Sequence, residues 1–288
     1  MQNDIYIIKS PDNLWHAEIS ACRGANIVNL RYNGENVLNP LESEKQWEEN
    51  PFVQGSPLLF PANRTAGAKF SFGGAEYSLP VTDKKNNLNL HGLLYAKIFS
   101  VVKAKSDRIV LQYENSGGIY PFDFLITAEY KLQNSGLKQV FTIENRSKTD
   151  MPYTFALHTS FAEPYYFSVP ISLAQEKNDR HIPTGRYIPL TDCEALYASG
   201  LDPRGIPISG YYKANGKTAI IGNYSYTVSE AFDHFVLYNA GGNSGYLCVE
   251  PQVGAVNGLN IPGGHRVISV GGRDVLYVNI GIAYKVTL

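Results

Sequence analysis

The chain of 288 residues is 44% hydrophobic and 18% charged, which is typical of a globular protein with a sizeable core. Its formal net charge is −1 and it has no basic block, so neither nucleic-acid binding nor a charged membrane surface is indicated. No apolar run is long enough for a membrane span, and the first residues lack the basic and apolar regions of a secretory signal. Three scattered cysteines without a CxxC pair are typical of a reducing compartment, so we expect a cytoplasmic protein.

Short alternating runs separated by turn residues dominate the first part of the chain. Residues 40–50 are the best helix candidate, because they contain good helix formers and no glycine. Residues 70–79 predict a hairpin that turns at Gly73 and Gly74, where positive φ costs little. A second hairpin is predicted over residues 98–115.

The clearest strand signal lies in residues 122–146, where two alternating runs flank the turn 133–136. Residues 163–215 hold several prolines and few alternating runs, so they predict long loops. Further strands are predicted at residues 153–161, 219–223, 235–239, 246–250, 267–270 and 275–286.

These patterns predict an all-β fold. Twenty tyrosines and thirteen phenylalanines favour strands, and glycine, proline and asparagine recur at the turns between them. The chain shows no propeller or solenoid repeat and no linker that would divide it. We therefore predict one domain over residues 1–288, a large antiparallel β-sandwich with few short helices.

A carboxylate ends the predicted strand 246–250. Pro251 follows Glu250 and lacks the N–H that a ladder needs, so regular pairing is predicted to stop there. A strand end that opens onto a loop is a common place for a reactive side chain. An ordinary exposed glutamate is the alternative.

Two histidines are candidates for proton transfer or ligand binding. Strand alternation places Thr154, Ala156 and His158 on one face, and the two small side chains leave room for a ligand beside the imidazole. His91 precedes Gly92, which lets the backbone turn sharply. A core histidine and a turn histidine are the alternatives.

Arg64, in FPANRTAG, and Asp233, in SEAFDHFVLYN, complete the set of candidates, with a surface arginine and a turn cap as alternatives. The sequence has no metal-binding histidine pair, P-loop, dinucleotide fingerprint or GxSxG elbow. The candidates therefore indicate general acid–base chemistry without a metal or a covalent nucleophile. The remaining histidines are predicted to be solvated loop residues: His16, His181, His234 and His265.

Five segments in order resemble the aldose 1-epimerase (galactose mutarotase) family. They are FPANR and LNLHG around a small hairpin, then ALHTSF, FDHFVLYN and CVEPQVGAVN, spread over residues 58–260. The resemblance implies the β-supersandwich fold of that family, a sugar substrate, no cofactor, and a monomer or homodimer.

The resemblance also implies a role for each candidate. Glu250 would be the base that takes the proton of the anomeric hydroxyl, and His158 the acid that protonates the ring oxygen. Arg64, His91 and Asp233 would orient the sugar. We expect Glu250 and His158 on opposite sides of the sugar, with mutual attraction lowering the pKa of the glutamate and raising that of the histidine.

The segment after the His-Gly departs from the family pattern. It is HGLLYAKIF, and it offers Lys97 where the hexose-6-phosphate branch has an arginine. Lys84 and Lys85 are predicted to be solvated, so a free, unphosphorylated aldohexose is favoured. A hexose-6-phosphate 1-epimerase and a non-catalytic sugar-binding protein on the same fold are the alternatives.

Overall fold

The computed structural model describes residues 5–283, and strands account for most of its regular structure. None of the helices in this range is both long and apolar enough to cross a membrane. The strands of the first half are β1 (Ile5–Lys9), β2 (Trp15–Ser20), β3 (Asn26–Tyr32), β4 (Glu35–Asn36), β5 (Leu58–Leu59), β6 (Arg64–Ala66), β7 (Lys69–Phe72), β8 (Ala75–Ser78), β9 (Leu88–Leu90), β10 (Ser100–Ala104), β11 (Arg108–Asn115), β12 (Phe124–Gln133) and β13 (Gly136–Asn145).

The second half continues in the same way. Its strands are β14 (Met151–Tyr153), β15 (Phe155–Leu157), β16 (Ser160–Ala162), β17 (Phe167–Ser168), β18 (Ile171–Lys177), β19 (Pro183–Pro189), β20 (Ser209–Ala214), β21 (Thr218–Ile221), β22 (Tyr224–Val228), β23 (His234–Tyr238), β24 (Tyr246–Val253), β25 (Arg266–Ile268) and β26 (Arg273–Ile282). The helices are α1 (Glu44–Glu49), α2 (Asp192–Ser199) and two 3-10 turns at Leu94–Ala96 and Gly258–Asn260.

Two large antiparallel sheets form the sandwich. The first has the order β10-β11-β12-β13-β26-β22-β21-β17, and the second has the order β19-β18-β20-β23-β24-β15-β5 with β16 also paired to β24. Phe141 of the first sheet packs on Phe155 of the second, with ring centroids 5.3 Å apart. The all-β antiparallel sandwich predicted from the sequence is confirmed.

Alternation along β24 separates the core from the outer face of the second sheet. Leu247 and Val249 belong to the main hydrophobic core, so Cys248, Glu250 and Gln252 lie on the opposite face. On the outer face, Glu250 lies beside Val236 of β23, and Val236 lies beside Tyr211 of β20. This register decides which side chains meet at the site described below.

The local predictions for the first half are largely confirmed. The predicted hairpins correspond to β7–β8, β10–β11 and β12–β13. Helix α1 is shorter than residues 40–50 because Ser43 caps its N-terminus. The Ser43 hydroxyl accepts from the N–H of Gln46, and the side-chain oxygen of Gln46 accepts from the N–H of Ser43. The predicted strand 275–286 corresponds to β26, and positions 284–286 lie outside the described residues.

The prediction that Pro251 ends the ladder is wrong. Strand β24 continues to Val253, and Pro251 lies in register with Phe235. The N–H of Val249 donates to the carbonyl of Thr159, so by alternation the nitrogen of Pro251 faces the same side, where the pairing of β24 with β15 stops at Gln252 and its pairing with β16 begins at Cys248. The missing donor therefore interrupts pairing on that side alone, and β24 stays paired with β23 through Pro251.

The prediction of long loops over residues 163–215 is also wrong. The segment contains β17 to β20 and α2. Register shifts in β18 disturb the alternation that sequence reasoning relies on. Helix α2 had a signal in the sequence, because Thr191 and Glu194 have the spacing of a capping box and form one.

Gly73 and Gly92 differ in the space that a side chain would have. Both Gly73 and Gly92 have left-handed φ, but a Cβ on Gly92 would lie 2.0 Å from the carbonyl oxygen of Phe60, whereas one on Gly73 would meet nothing within 4 Å. We expect Gly73→Ala to cost about 1 kcal/mol of unfolding free energy and Gly92→Ala about 3 kcal/mol. Urea unfolding measures both, and equal losses would contradict the close approach at Gly92.

Candidate active site

A cavity opens on the outer face of the second sheet. Its volume is about 310 Å³, within the range of small-molecule sites. Four of the five candidate residues line it, together with aromatic and amide side chains. The lining includes Phe52, Asn63, Arg64, His91, His158, Tyr211 and Glu250.

The β6–β9 ribbon places Arg64 and His91 at the cavity. Arg64 begins β6 and pairs with Leu90, the last residue of β9. Asn63 and His91 flank this pair with φ of 54° and 63°, and the N–H of His91 donates to the carbonyl of Asn63 over 2.6 Å. Left-handed φ is uncommon for residues other than glycine and recurs at functional sites. The end of the β6–β9 pair therefore fixes the position of the His91 imidazole.

His158 follows β15 directly, and its N–H donates to the carbonyl of Pro57 over 2.9 Å. The predicted alternation is confirmed, because Ala156 lies outside the main core with Leu59 whereas Leu157 lies inside it. The His158 ring meets that of His91 edge-on, with centroids 5.2 Å apart.

Glu250 and His158 are in direct contact. Nε2 of the imidazole lies 3.2 Å from Oε1 of the carboxylate, and the side chains are 7% and 2% exposed for His158 and Glu250 respectively. The expectation that they lie on opposite sides of a sugar is wrong, since His158 extends the course of β15, which pairs with β24. Both groups therefore approach the cavity from the same wall.

Burial controls the protonation of this pair. It raises the pKa of Glu250 to about 8, although the positive charge of Arg64 opposes the shift. It also lowers the pKa of His158 to about 4. The expected opposite shifts are wrong, because desolvation outweighs mutual attraction. The pair as a unit holds one proton between those two values.

His91 is held neutral. Burial lowers the pKa of its imidazole well below the usual value, and the nearby charges of His158 and Arg64 lower it further. A neutral imidazole offers one donor and one acceptor, which suits a hydroxyl group.

Three buried polar atoms at the site have no hydrogen-bond partner within residues 5–283: Oε2 of Glu250 and the Nδ1 atoms of His91 and His158. Unpaired buried polar atoms are costly and uncommon in folded proteins. The three atoms are therefore candidates to bind a ligand rich in hydroxyl groups.

Arg64 is held in place by Asn63 and Tyr211. Its Nη1 donates to Oδ1 of Asn63 over 3.0 Å and to the hydroxyl of Tyr211 over 2.7 Å. The guanidinium carbon lies 5.7 Å from the centre of the Tyr211 ring. Sequence reasoning missed Tyr211 because it lies in the segment assigned to loops, although SGYYKA is consistent with a strand.

Asp233 is not among the residues that line the cavity. Its carboxylate accepts from the N–H of Gly254 over 2.8 Å and lies 2.9 Å from Nδ1 of His234. Nε2 of His234 lies 2.5 Å from the hydroxyl of Tyr187. His234 is buried on β23, so the prediction that it is solvated is wrong.

The other three histidines differ in position. His181 is exposed as predicted, yet it lines the cavity. His16 lies in β2 rather than in a loop, and His265 is partly buried.

One group of side chains has the composition of a metal site. His158, Cys248 and Glu250 place one potential ligand atom each within 4.8 Å of one another. Burial raises the pKa of the Cys248 thiol well above its usual value, and its Sγ lies 3.1 Å from Oγ of Ser160. A protonated thiol is a poor metal ligand, so the set suits proton transfer better than metal binding.

The two packed antiparallel sheets form a mutarotase-like β-sandwich. The sequence profile described as "Aldose 1-epimerase" matches residues 8–261. The chain belongs to this family.

Two solved structures resemble this chain in fold, and one further protein resembles it in sequence. A galactose mutarotase-like protein from Clostridium acetobutylicum is 21% identical, with 99% of this chain and 100% of that chain covered and a TM-score of 0.86. A galactose 1-epimerase from Lactobacillus acidophilus is 16% identical, with 95% and 92% covered and a TM-score of 0.75. The uncharacterized protein YihR of Escherichia coli is 24% identical over 180 residues, which span 59% of this chain and just over half (56%) of that relative's length.

The raised pKa of Glu250 predicts a pH-dependent cost to stability. The folded protein binds this proton more tightly than the unfolded chain, so the contribution of Glu250 to the unfolding free energy falls as pH rises from 4.5 through about 8. Glu250→Gln removes that contribution. Its unfolding free energy, relative to wild type, should therefore increase between about pH 5 and about pH 9 in denaturant titrations.

The exposed Glu114 supplies the matched control. Glu114→Gln should track wild type across the same pH range. A constant difference between Glu250→Gln and wild type would show that burial does not shift the pKa of Glu250.

Proposed function

We propose that this protein interconverts the α and β anomers of an aldohexose, with Glu250 and His158 as the acid–base pair. The observation that carries the proposal is the buried contact of 3.2 Å between the carboxylate and the imidazole in a cavity of sugar size. Membership of the aldose 1-epimerase family supports the reaction class.

The contact suits the geometry of the reaction. Mutarotation removes a proton from the anomeric hydroxyl and adds one to the ring oxygen, and both oxygens are bonded to the same carbon. Two neighbouring groups on one wall can therefore reach both oxygens without a cofactor.

Glu250 and His158 supply and accept every proton that the reaction moves. Glu250 takes the hydroxyl proton while the bond between C1 and the ring oxygen breaks, and His158 protonates that oxygen. The open chain carries an aldehyde, which turns about its bond to C2. The reverse transfers close the ring as the other anomer and return the proton to His158. The cycle begins from the form of the pair in which its one proton lies on His158. Burial favours the form with that proton on Glu250, whereas the positive charge of Arg64 favours the carboxylate.

The remaining candidates orient the sugar or the site. Arg64 and His91 line the cavity, and in this proposal they bind hydroxyl groups of the sugar. Asp233 acts indirectly in this proposal, because its carboxylate holds His234 and the N–H of Gly254. It would position the turn after β24 rather than contact the substrate.

Substitution of the base should abolish catalysis without abolishing binding. We expect Glu250→Gln to lower kcat for anomer exchange by about 10²- to 10⁴-fold, because the amide cannot accept the proton. NMR exchange spectroscopy on equilibrated aldohexoses measures the rate, and ligand titration measures binding.

Glu114→Gln should keep the wild-type rate. A Glu250→Gln variant with wild-type kcat would refute the assignment of the base. Sugar binding by wild type without any acceleration of exchange would instead indicate a binding protein.

The acid–base pair also predicts a bell-shaped pH profile. Below about pH 4 both groups are protonated and no base remains, and above about pH 8 both are deprotonated and no acid remains. The plot of kcat/KM against pH for wild type should fall on both sides of this window. A profile that stays flat through pH 8 would contradict a proton shared by this pair.

A further inference from the structure

The ring of Phe52 lies against both imidazoles of the site. Its centroid is 4.4 Å from that of His91 and 5.9 Å from that of His158, and Phe52 lines the same cavity as Glu250. The ring is partly buried, and it packs against a small apolar cluster formed by Leu59, Ala62 and Ala156. One side of the acid–base pair is therefore covered by a surface that neither donates nor accepts a hydrogen bond.

The backbone on both sides of the Phe52 ring is held by amide side chains. The N–H of Phe52 donates to Oδ1 of Asn50 over 3.1 Å, and Asn50 caps the C-terminus of α1. The side chain of Asn39 donates to the carbonyl of Val53 over 2.6 Å. These bonds fix the segment between α1 and β5, so the ring has a defined place at the cavity.

A row of aromatic rings supports Phe52 from behind. Its centroid lies 4.7 Å from that of Tyr95, which lies 6.1 Å from the ring of Trp47 in α1. The guanidinium carbon of Arg23 lies 5.3 Å from the centre of the Trp47 ring, and Arg23 also forms a salt bridge with Glu44. Tyr95 belongs to HGLLYAKIF, the segment that departs from the family pattern. That departure therefore contributes to the wall that carries Phe52.

Exclusion of water is what the Phe52 ring can contribute to proton transfer. A phenyl ring has no proton to give or take. Burial is the largest cause of the raised pKa of Glu250 and of the lowered pKa of His158. An apolar ring in contact with the pair is part of that burial, because it occupies space in which water would solvate the charged forms.

The other groups around the pair do not titrate between about pH 4 and about pH 8. Burial raises the pKa of the surrounding phenol and thiol groups and lowers that of the neighbouring imidazole well below its usual value, and the guanidinium keeps its charge. The charged and titratable side chains of residues 5–283 that face Glu250 or His158 are Arg64, His91, Tyr211, Tyr226, Tyr238 and Cys248. A titration in this range therefore belongs to the pair itself.

We propose that Phe52 is a positioning residue that keeps water away from Glu250 and His158 and so sets the pH range in which the pair shares its proton. This inference rests on the proposed anomer exchange, and it concerns a residue to which that proposal gives no role. Phe52 acts through the two side chains that it shields and moves no proton.

Removal of the ring should narrow the pH profile of anomer exchange. In Phe52→Ala water reaches the pair, the carboxylate form of Glu250 becomes less costly, and its pKa falls. We expect the alkaline limb of kcat/KM, measured by NMR exchange spectroscopy on an equilibrated aldohexose, to move down from about pH 8 by about one unit. Above the limb this shift is a further loss of about tenfold relative to the optimum.

A graded series keeps the test independent of any one variant. Phe52→Leu and Phe52→Val retain part of the apolar cover, so the alkaline limb should move least in Phe52→Leu, further in Phe52→Val and furthest in Phe52→Ala. The first two variants give the comparison if Phe52→Ala does not fold.

The titration of Glu250 can also be followed without a sugar. Glu250→Gln is compared with its parent by denaturant titration between about pH 5 and about pH 9, once in wild type and once in Phe52→Ala. The gain in unfolding free energy should level off about one pH unit lower in the Phe52→Ala background, because the pKa of Glu250 in the folded protein is lower there.

Phe72 supplies the matched control. It is also a partly buried phenylalanine beside a histidine, with its ring centroid 6.0 Å from that of His265, and it does not line the cavity. Phe72→Ala loses packing and should lower the unfolding free energy, but the alkaline limb and the titration of Glu250 should stay at their wild-type positions.

The outcomes separate this inference from the proposed function. An alkaline limb and a titration of Glu250 that stay in place in Phe52→Ala would overturn the role of Phe52 and leave the anomer exchange intact. A uniform fall in kcat/KM at every pH would also overturn it, since that result indicates a contact with the sugar alone. A shifted titration of Glu250 in a protein that exchanges no aldohexose would support the shielding by Phe52 and overturn the catalytic function.

Discussion

The burial of a carboxylic acid beside an imidazole is the constraint on which the site depends. Glu250 lies in the middle of β24, on the face turned away from the core, and it is 1% exposed. Burial makes two opposite charges expensive even at 3.2 Å, so the pair is best described as one unit with one proton. Such a unit can give and take a proton at adjacent oxygens, and a reversible reaction needs both directions.

The surrounding fold keeps this pair in place at some energetic cost. Asn63 and His91 adopt left-handed backbone conformations, and Gly92 packs against the backbone of Phe60 more closely than any Cβ would allow. Strain of this kind persists where the structure around it is over-determined. Here the antiparallel sandwich provides that support, because the core residues of β15 and β24 pack against the first sheet.

The second sheet also sets the spacing of the side chains along the cavity. Glu250, the proposed base, lies on β24, and Tyr211, which packs against Arg64, lies two strands away on β20. The proposed base and the residues around Tyr211 therefore lie on different strands of one sheet. An exchange of the residues around Tyr211 could change the preferred sugar while the chemistry at Glu250 stays the same, which is a familiar property of folds with many functions.

Local patterns were sufficient for much of the fold. Alternation and turn residues predicted the hairpins and the antiparallel sandwich, and alternation predicted which face carries His158. Those patterns act over a few residues and depend little on distant contacts. The same reasoning missed α2 and the strands of residues 163–215, because bulges interrupt the alternation of β18.

The properties of the site depended on contacts between distant segments. In isolation Pro251 predicts the end of a strand, but its missing donor affects only the side of β24 that faces β15 and β16, and pairing with β23 continues through it. Attraction between Glu250 and His158 could be expected from their types, whereas the cost of desolvation depends on the sandwich that buries them. The placement of Lys177 beside Tyr211 likewise follows from the pairing of β18 with β20. Residue types and their order thus pointed to the chemistry, while burial and register, which exist only in the folded chain, determined its protonation, its geometry and its charge.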